Sequence, residues 1–169
     1  MRFYSPLDLF NQPLPSDIEA DERVGFDALN VELFSNNFSG LNILYGPGRT
    51  GAQDSYGLKF NKKVGTYDTT LIAAKHLKEK VLGFGFDGYL WNTGLRGEFT
   101  YTKSGKERYS RASLGLDHTF SHETNVILEY FYNGAANGDF SAFSGSLLES
   151  RKRLSLRKNL ISASVSRKL

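Results

Sequence analysis

Residues 46–51 read Gly46-Pro47-Gly48-Arg49-Thr50-Gly51, the GxGxxG spacing that lets backbone approach a pyrophosphate in a dinucleotide site. That chemistry needs a helix to open at once, with its N-terminal N–H groups facing the phosphates. Ala52-Gln53-Asp54-Ser55-Tyr56 leads instead into another strand pattern, so the stretch reads as a Gly-rich hairpin loop. His118 and His122 have a four-residue spacing that suits zinc on a helix. On a strand and its turn they aim differently, and Glu123 beside them is a turn carboxylate rather than an evident third ligand. His118 is expected to be a ring near a strand end. Ser, Asp and His residues are present in number, but no spacing marks one of them as activated. The expectation is therefore no catalytic residue, no metal, no cofactor and no enzyme.

A second constellation is physical rather than covalent. Lys59, Arg96, Glu98, Arg111, Asp117 and Glu129 each fall at mid-strand on the non-apolar parity of an alternating pattern. Charges of both signs at mid-strand suit the hydrated lumen of a channel, where they set the field felt by a passing solute. They equally suit the solvated outside of a soluble barrel. Residues 151–169 carry seven Lys/Arg and no acid, which leaves the rest of the chain net negative. Such a run binds nucleic acid or anionic lipid in some settings. The reading preferred here is a solvated terminus, with no nucleic-acid partner.

The elements that carry these charges follow period two. In residues 108–120, Ala112, Leu114, Leu116, His118 and Phe120 share one parity, and Arg111, Ser113, Gly115, Asp117 and Thr119 the other. In 124–134, Val126, Leu128, Tyr130 and Tyr132 alternate with Asn125, Ile127, Glu129 and Phe131. This is a β-hairpin with one greasy and one wet face. Earlier strands are predicted near 26–34, 40–45, 55–62, 67–76, 80–86 and 94–103, linked mostly by short Gly/Asn/Ser turns. The fourth alternates less well, because Lys75 shares a parity with Leu71 and Ala73. Consecutive strands with hairpin-length links imply an all-β, antiparallel up-and-down meander of about 8–9 strands. Residues 1–22 form a Pro-rich acidic loop (Pro6, Pro13, Pro15; Asp17, Glu19, Asp21, Glu22), and 23–134 hold the strands. Residues 135–169 combine a long Gly/Ala/Ser-rich loop with the basic segment. That last segment reads as a ninth strand, a basic amphipathic helix or non-native sequence, because its alternation slips between Leu160 and Ile161.

Composition narrows the class. With 40% hydrophobic and 23% charged residues, the chain of 169 is neither disordered nor a helical membrane protein. Its longest apolar run, Leu71 to Ala74, is far short of the ~20 residues of a spanning helix. The absence of Cys excludes disulfides, thiol catalysis and zinc-thiolate sites. Met1-Arg2-Phe3-Tyr4-Ser5-Pro6 has no apolar h-region and no small-residue cleavage site. The expectation is a cytoplasmic protein or an incomplete precursor.

Alternation alone does not tell a soluble barrel from a membrane barrel, because the two are inversions of each other. Tyr45, Tyr56, Tyr67, Tyr101, Tyr109, Phe120, Tyr130 and Tyr132 gather towards strand ends, as rings do at headgroup depth. Together with strand lengths near the ~9–11 residues of a spanning strand, this favours a transmembrane β-barrel. The alternative is a soluble β-barrel or sandwich binding a small apolar ligand.

The segment "FYSPLDLFNQPLPSDIEADERVGFDALNVEL" resembles a stretch of porin-like outer-membrane β-barrel proteins of bacteria. There, an aromatic-x-[Asn/Ser]-Pro-x-Asp-Leu-Phe segment and an acidic stretch precede Gly-x-Asp-Ala-Leu at the opening of a strand. The matching positions are Tyr4, Pro6, Asp8, Leu9 and Phe10, then Gly25, Asp27, Ala28 and Leu29. "GLRGEFTY", "RASLGLDHTF" and "LEYFYNG" are similar to later strands of that family, so the resemblance covers residues 3–134. It implies an outer-membrane location, a passive channel or structural role, and the bilayer and small hydrophilic solutes as partners. Lys59, Arg96, Glu98, Arg111, Asp117 and Glu129 would then line the pore, with the Pro-rich loop folded over or into it. Such barrels carry a signal peptide and strands ahead of that loop, and end in an aromatic-terminated strand. This chain departs at both ends, so the resemblance implies a fragment of a larger barrel; oligomeric state is left open.

Overall fold

A computed structural model of the chain describes Leu7 and residues 27–35, 39–48, 53–76, 79–120, 124–136 and 157–167. The strands are β1 (Leu29–Ser35), β2 (Ser39–Gly46), β3 (Ser55–Val64), β4 (Tyr67–His76), β5 (Glu79–Leu90), β6 (Thr93–Ser104), β7 (Glu107–Phe120), β8 (Thr124–Asn133) and β9 (Asn159–Arg167). They form one open antiparallel sheet in strictly sequential order. The meander expected from alternation is therefore present, and the ambiguous basic segment supplies its ninth strand. Of the Pro-rich segment 1–22 only Leu7 is described; His122, Glu123 and most of the loop after Asn133 lie outside the described residues.

The slip at Leu160 has a packing cause. Leu160 stands opposite Phe131, which is 1% exposed, while Ile161, Ala163 and Val165 are on the opposite, exposed parity. Two adjacent apolar residues thus serve the two faces. β5 runs past Phe86, where Asp87-Gly88 suggests a turn. Gly88 pairs with Leu95 of β6, and a Cβ there would stand 2.5 Å from the Tyr67 ring. The glycine is a seat for an aromatic ring on the sheet face, not a turn.

Register makes the two faces explicit. One cross-strand row runs Leu33, Leu41, Phe60, Leu71, Phe84, Phe99, Ala112. Leu33, Phe60, Leu71, Phe84 and Phe99 are exposed, as are Leu58, Leu82, Leu114, Leu116 and Leu128 on neighbouring rows. The opposite parity carries the buried groups: Thr100, Thr102, Arg111, Glu129 and Asn133, with Val81, Tyr109 and Phe131 among them. Burial and polarity are inverted relative to a soluble sheet, in which the apolar parity is the one withdrawn from water.

Candidate functional site on the enclosed polar face

The polar parity assembles from β5 to β8. A row across the sheet runs Asp68, Asp87, Arg96, Gly115, Glu129, Ser162. The next runs Asn61, Thr70, Gly85, Glu98, Ser113, Phe131, and the one beyond it Lys59, Ile72, Gly83, Thr100, Arg111, Asn133. Five of the six residues expected to line a pore therefore cluster on three neighbouring strands. Arg96 and Glu98 come from β6, Arg111 and Asp117 from β7, and Glu129 from β8. Lys59 is on the same parity but stands apart on β3, exposed.

Arg96 lies flat across the sheet. Its Nη1 is 3.6 Å from Asp117 Oδ1, and a Cβ at Gly115 would stand 2.6 Å from its Nε. Gly115 is the residue that lets the guanidinium cross to β7. Arg111, 2% exposed, donates from Nε to Asn133 Oδ1 at 3.1 Å, and its Cζ is 5.0 Å from the Tyr109 ring centre. Tyr109 in turn donates its hydroxyl to Glu79 Oε1 at 3.1 Å, reaching past β6 to β5. Among the described residues, Arg96 Nε and Nη2 and Arg111 Nη2 are buried without a hydrogen-bond partner. A buried guanidinium with open donors favours polar or anionic neighbours strongly, because the medium there screens poorly.

Among the described residues, Leu7 reaches this face from outside the sheet. Leu7 donates its backbone N–H to Glu98 Oε2 at 3.1 Å, and its side chain covers two glycines. A Cβ on Gly83 would stand 2.6 Å from Leu7 Cδ2, and one on Gly85 2.5 Å from Cδ1. The pair of glycines makes the dent that the leucine fills.

One sequence expectation needs adjustment. Tyr109 does not belong with the strand-end aromatics of the greasy face. It is on the enclosed parity, 7% exposed and engaged by Glu79. Its odd number, matching Arg111 rather than Ala112, was the available signal. Asn133, Thr100 and Thr102 were not anticipated in this cluster, though all three share its parity. His118 is on the apolar parity, its Nδ1 2.9 Å from Thr93 Oγ1 and its ring edge-on to Phe120 at 4.4 Å. The Gly-rich stretch after β2 joins hairpin neighbours, with Gly46 opposite Ser55. Asp54 closes that loop by accepting from Gly48 N–H at 2.9 Å and from the Tyr45 and Tyr56 hydroxyls at 3.3 Å each.

Comparison with family models, curated proteins and solved structures finds no match to the chain.

Proposed function

We propose that this sheet is part of the wall of a porin-like β-barrel in a bacterial outer membrane. Its apolar parity contacts lipid, and its polar parity lines a passage for small hydrophilic solutes. The observation that carries the reading is the inversion itself. Leu82, Phe84, Phe99, Leu114 and Leu128 are exposed while Arg111, Glu129, Asn133 and Thr100 are buried. In water, exposing that many large apolar side chains as one continuous face costs roughly 25 cal/mol per Å². Against hydrocarbon the same face is at home. A soluble barrel holding an apolar ligand needs the opposite polarity on its enclosed side, which is why it is the second choice.

Supporting features stand at both strand ends. Tyr45 and Tyr56 pack at 5.4 Å at one end of the apolar band. At the other, the two-residue turn between β5 and β6 presents Trp91, 90% exposed. Amphipathic rings at two levels are what interfacial anchoring calls for.

The mechanism is electrostatic. Arg96, 3.6 Å from Asp117, and the buried Arg111 hold fixed positive charge on the same parity as Glu98 and Glu129, so the wall's field on a solute carries both signs. No bond is made or broken. Single-channel recording in planar bilayers tests this. Arg111→Gln and Arg96→Gln are each expected to lower anion-to-cation permeability several-fold. Complete absence of conductance and of liposome swelling by the folded protein would refute a channel role.

A further inference from the structure

We propose a lipid site on the outer face, resting on the membrane reading above: a groove near the ends of β2–β6 that holds an acyl chain of a phosphate-bearing lipid of the outer leaflet. At one level of the sheet the outward residues are Tyr45, Tyr56, Lys75, Lys80, Lys103 and Arg108, each directly opposite the next. Like charges directly opposite on one face destabilise a sheet, yet here three lysines and an arginine follow one another across four strands. Among the described residues, no carboxylate stands within ion-pair distance of Lys80 or Lys103. Lys75 lies over the Tyr56 ring, 5.6 Å from its centre.

Immediately below this row the sheet is hollowed. Ala73 stands between Leu58 and Leu82, which in turn faces Tyr101. The short side chain between long ones opens an apolar groove of ≈ 750 Å³, bordered at its end by Lys75, Lys80 and Lys103. That volume lies within the ~300–1,000 Å³ of small-molecule sites. An amphiphile with an anion at one end and hydrocarbon behind it fits both parts at once. A phosphate bridging two lysines also removes the repulsion that the register creates.

The leaflet follows from the connections. At the lysine end they span residues 47–54, 77–78, 105–106 and 134–158; at the opposite end 36–38, 65–66, 91–92 and 121–123. Outer-membrane barrels place short turns in the periplasm and longer loops outside. The lysine row then faces the external leaflet.

The test uses the chain folded in dodecyl maltoside micelles, with native mass spectrometry reading bound lipid. Lipid A with two phosphates is titrated against its dephosphorylated form and against phosphatidylcholine. The expected result is at least tenfold preference for the bisphosphorylated probe, weakening as salt is raised. Lys80→Gln with Lys103→Gln should abolish the preference, and Ala73→Phe should weaken retention by filling the groove. Lys62→Gln with Lys63→Gln, an equal charge loss at the other strand end, should leave the preference intact. Removing two facing lysines relieves repulsion, so folding is not at risk. If the K80Q/K103Q chain keeps the preference, or the starting chain has none, the lipid site is wrong while bilayer insertion still stands. If the chain fails to enter vesicles of any composition, both readings fall together.

Discussion

Replacing Phe99 with arginine separates a lipid-facing sheet from a water-facing one by more than experimental scatter. Phe99 is 47% exposed on β6, between Phe84 and Ala112 on its neighbours. It stands four residues from Lys103, which is about 13 Å along a strand, or about 10 Å in depth at the usual tilt. The whole of β6 from Lys103 to Thr93 spans about 25 Å in depth by the same geometry, the height of an outer-membrane apolar band. On the proposed membrane reading, Phe99 is therefore close to the midplane. Arginine there costs about 2–4 kcal/mol in a bilayer, or roughly a 30- to 700-fold loss in the folding equilibrium. In water, a polar replacement at a half-exposed surface position changes stability by only about 0.5 kcal/mol or less. The assay is reversible denaturant unfolding from phospholipid vesicles, followed by Trp91 emission. Ser113→Lys is the control: Ser113 is half-buried on the polar parity, directly opposite Glu98, and should shift stability by less than about 1 kcal/mol. Equal, small effects for Phe99→Arg and Ser113→Lys would refute the assignment of faces.

Three further outcomes are expected. Trp91, the single tryptophan, holds a φ of 53° at an exposed turn, a conformation costly for any residue with a Cβ. Lipids brominated near the headgroup should quench it more than those brominated at the chain end, whereas Trp91→Gly should relieve about 1 kcal/mol of backbone strain yet weaken vesicle binding; quenching that peaks at the chain end contradicts the anchor role. Gly85→Val should expel Leu7, readable as loss of the nuclear Overhauser contact between the Leu7 methyls and the Gly83 Hα protons, and an unchanged contact counts against the placement. Asp54 has its carboxyl held below the usual range, chiefly by the Gly48 N–H, with lesser help from the Tyr45 and Tyr56 hydroxyls and Lys75. A depressed folded pKa contributes stability above the ordinary carboxylate range and loses it as pH falls through the lowered value. Tyrosine near-UV signal should therefore shift only at acidities beyond the ordinary carboxylate range, and Asp54→Asn should remove that transition; a shift near neutrality would point to another group.

Strand order and the two parities were legible because alternation is clear in most elements, β4 and β9 being the weak ones, and short links leave sequential pairing as the simple outcome. What sequence did not reveal depends on register. Lys75 looks like a fault in β4 until Lys80 and Lys103 are set beside it, and the hairpin turns alone decide that alignment. The same applies to Arg96. Its parity was evident, but its reach over Gly115 to Asp117 follows from β6 and β7 pairing Arg96 with Gly115. Leu7 is harder still. Gly83 and Gly85 announce a missing pair of side chains, but nothing local says that a leucine some eighty positions earlier fills the gap.

The edges carry the argument one step further. A soluble sheet protects its outer strands with charge, proline or a covering element. Here the apolar face continues undiminished to both margins: Leu29, Val31 and Leu33 on β1 are 64%, 41% and 54% exposed, and Ile161 and Val165 on β9 are 81% and 69% exposed. Within hydrocarbon, each unpaired backbone N–H or C=O along such a margin costs several kcal/mol. A wall of this polarity is stable in a bilayer only when both margins are paired, with each other or with a strand that presents apolar residues to the same side. On β1 the charge sits on the other parity, where Glu32 accepts from Asn30 and Asn42; on β9 that parity holds Ser162, Ser164 and Ser166, and Arg167 ends the outer one. Both edges thus keep the apolar outer and polar inner pattern of the interior strands, which suits pairing with a strand of the same kind and is poorly suited to lying open in water.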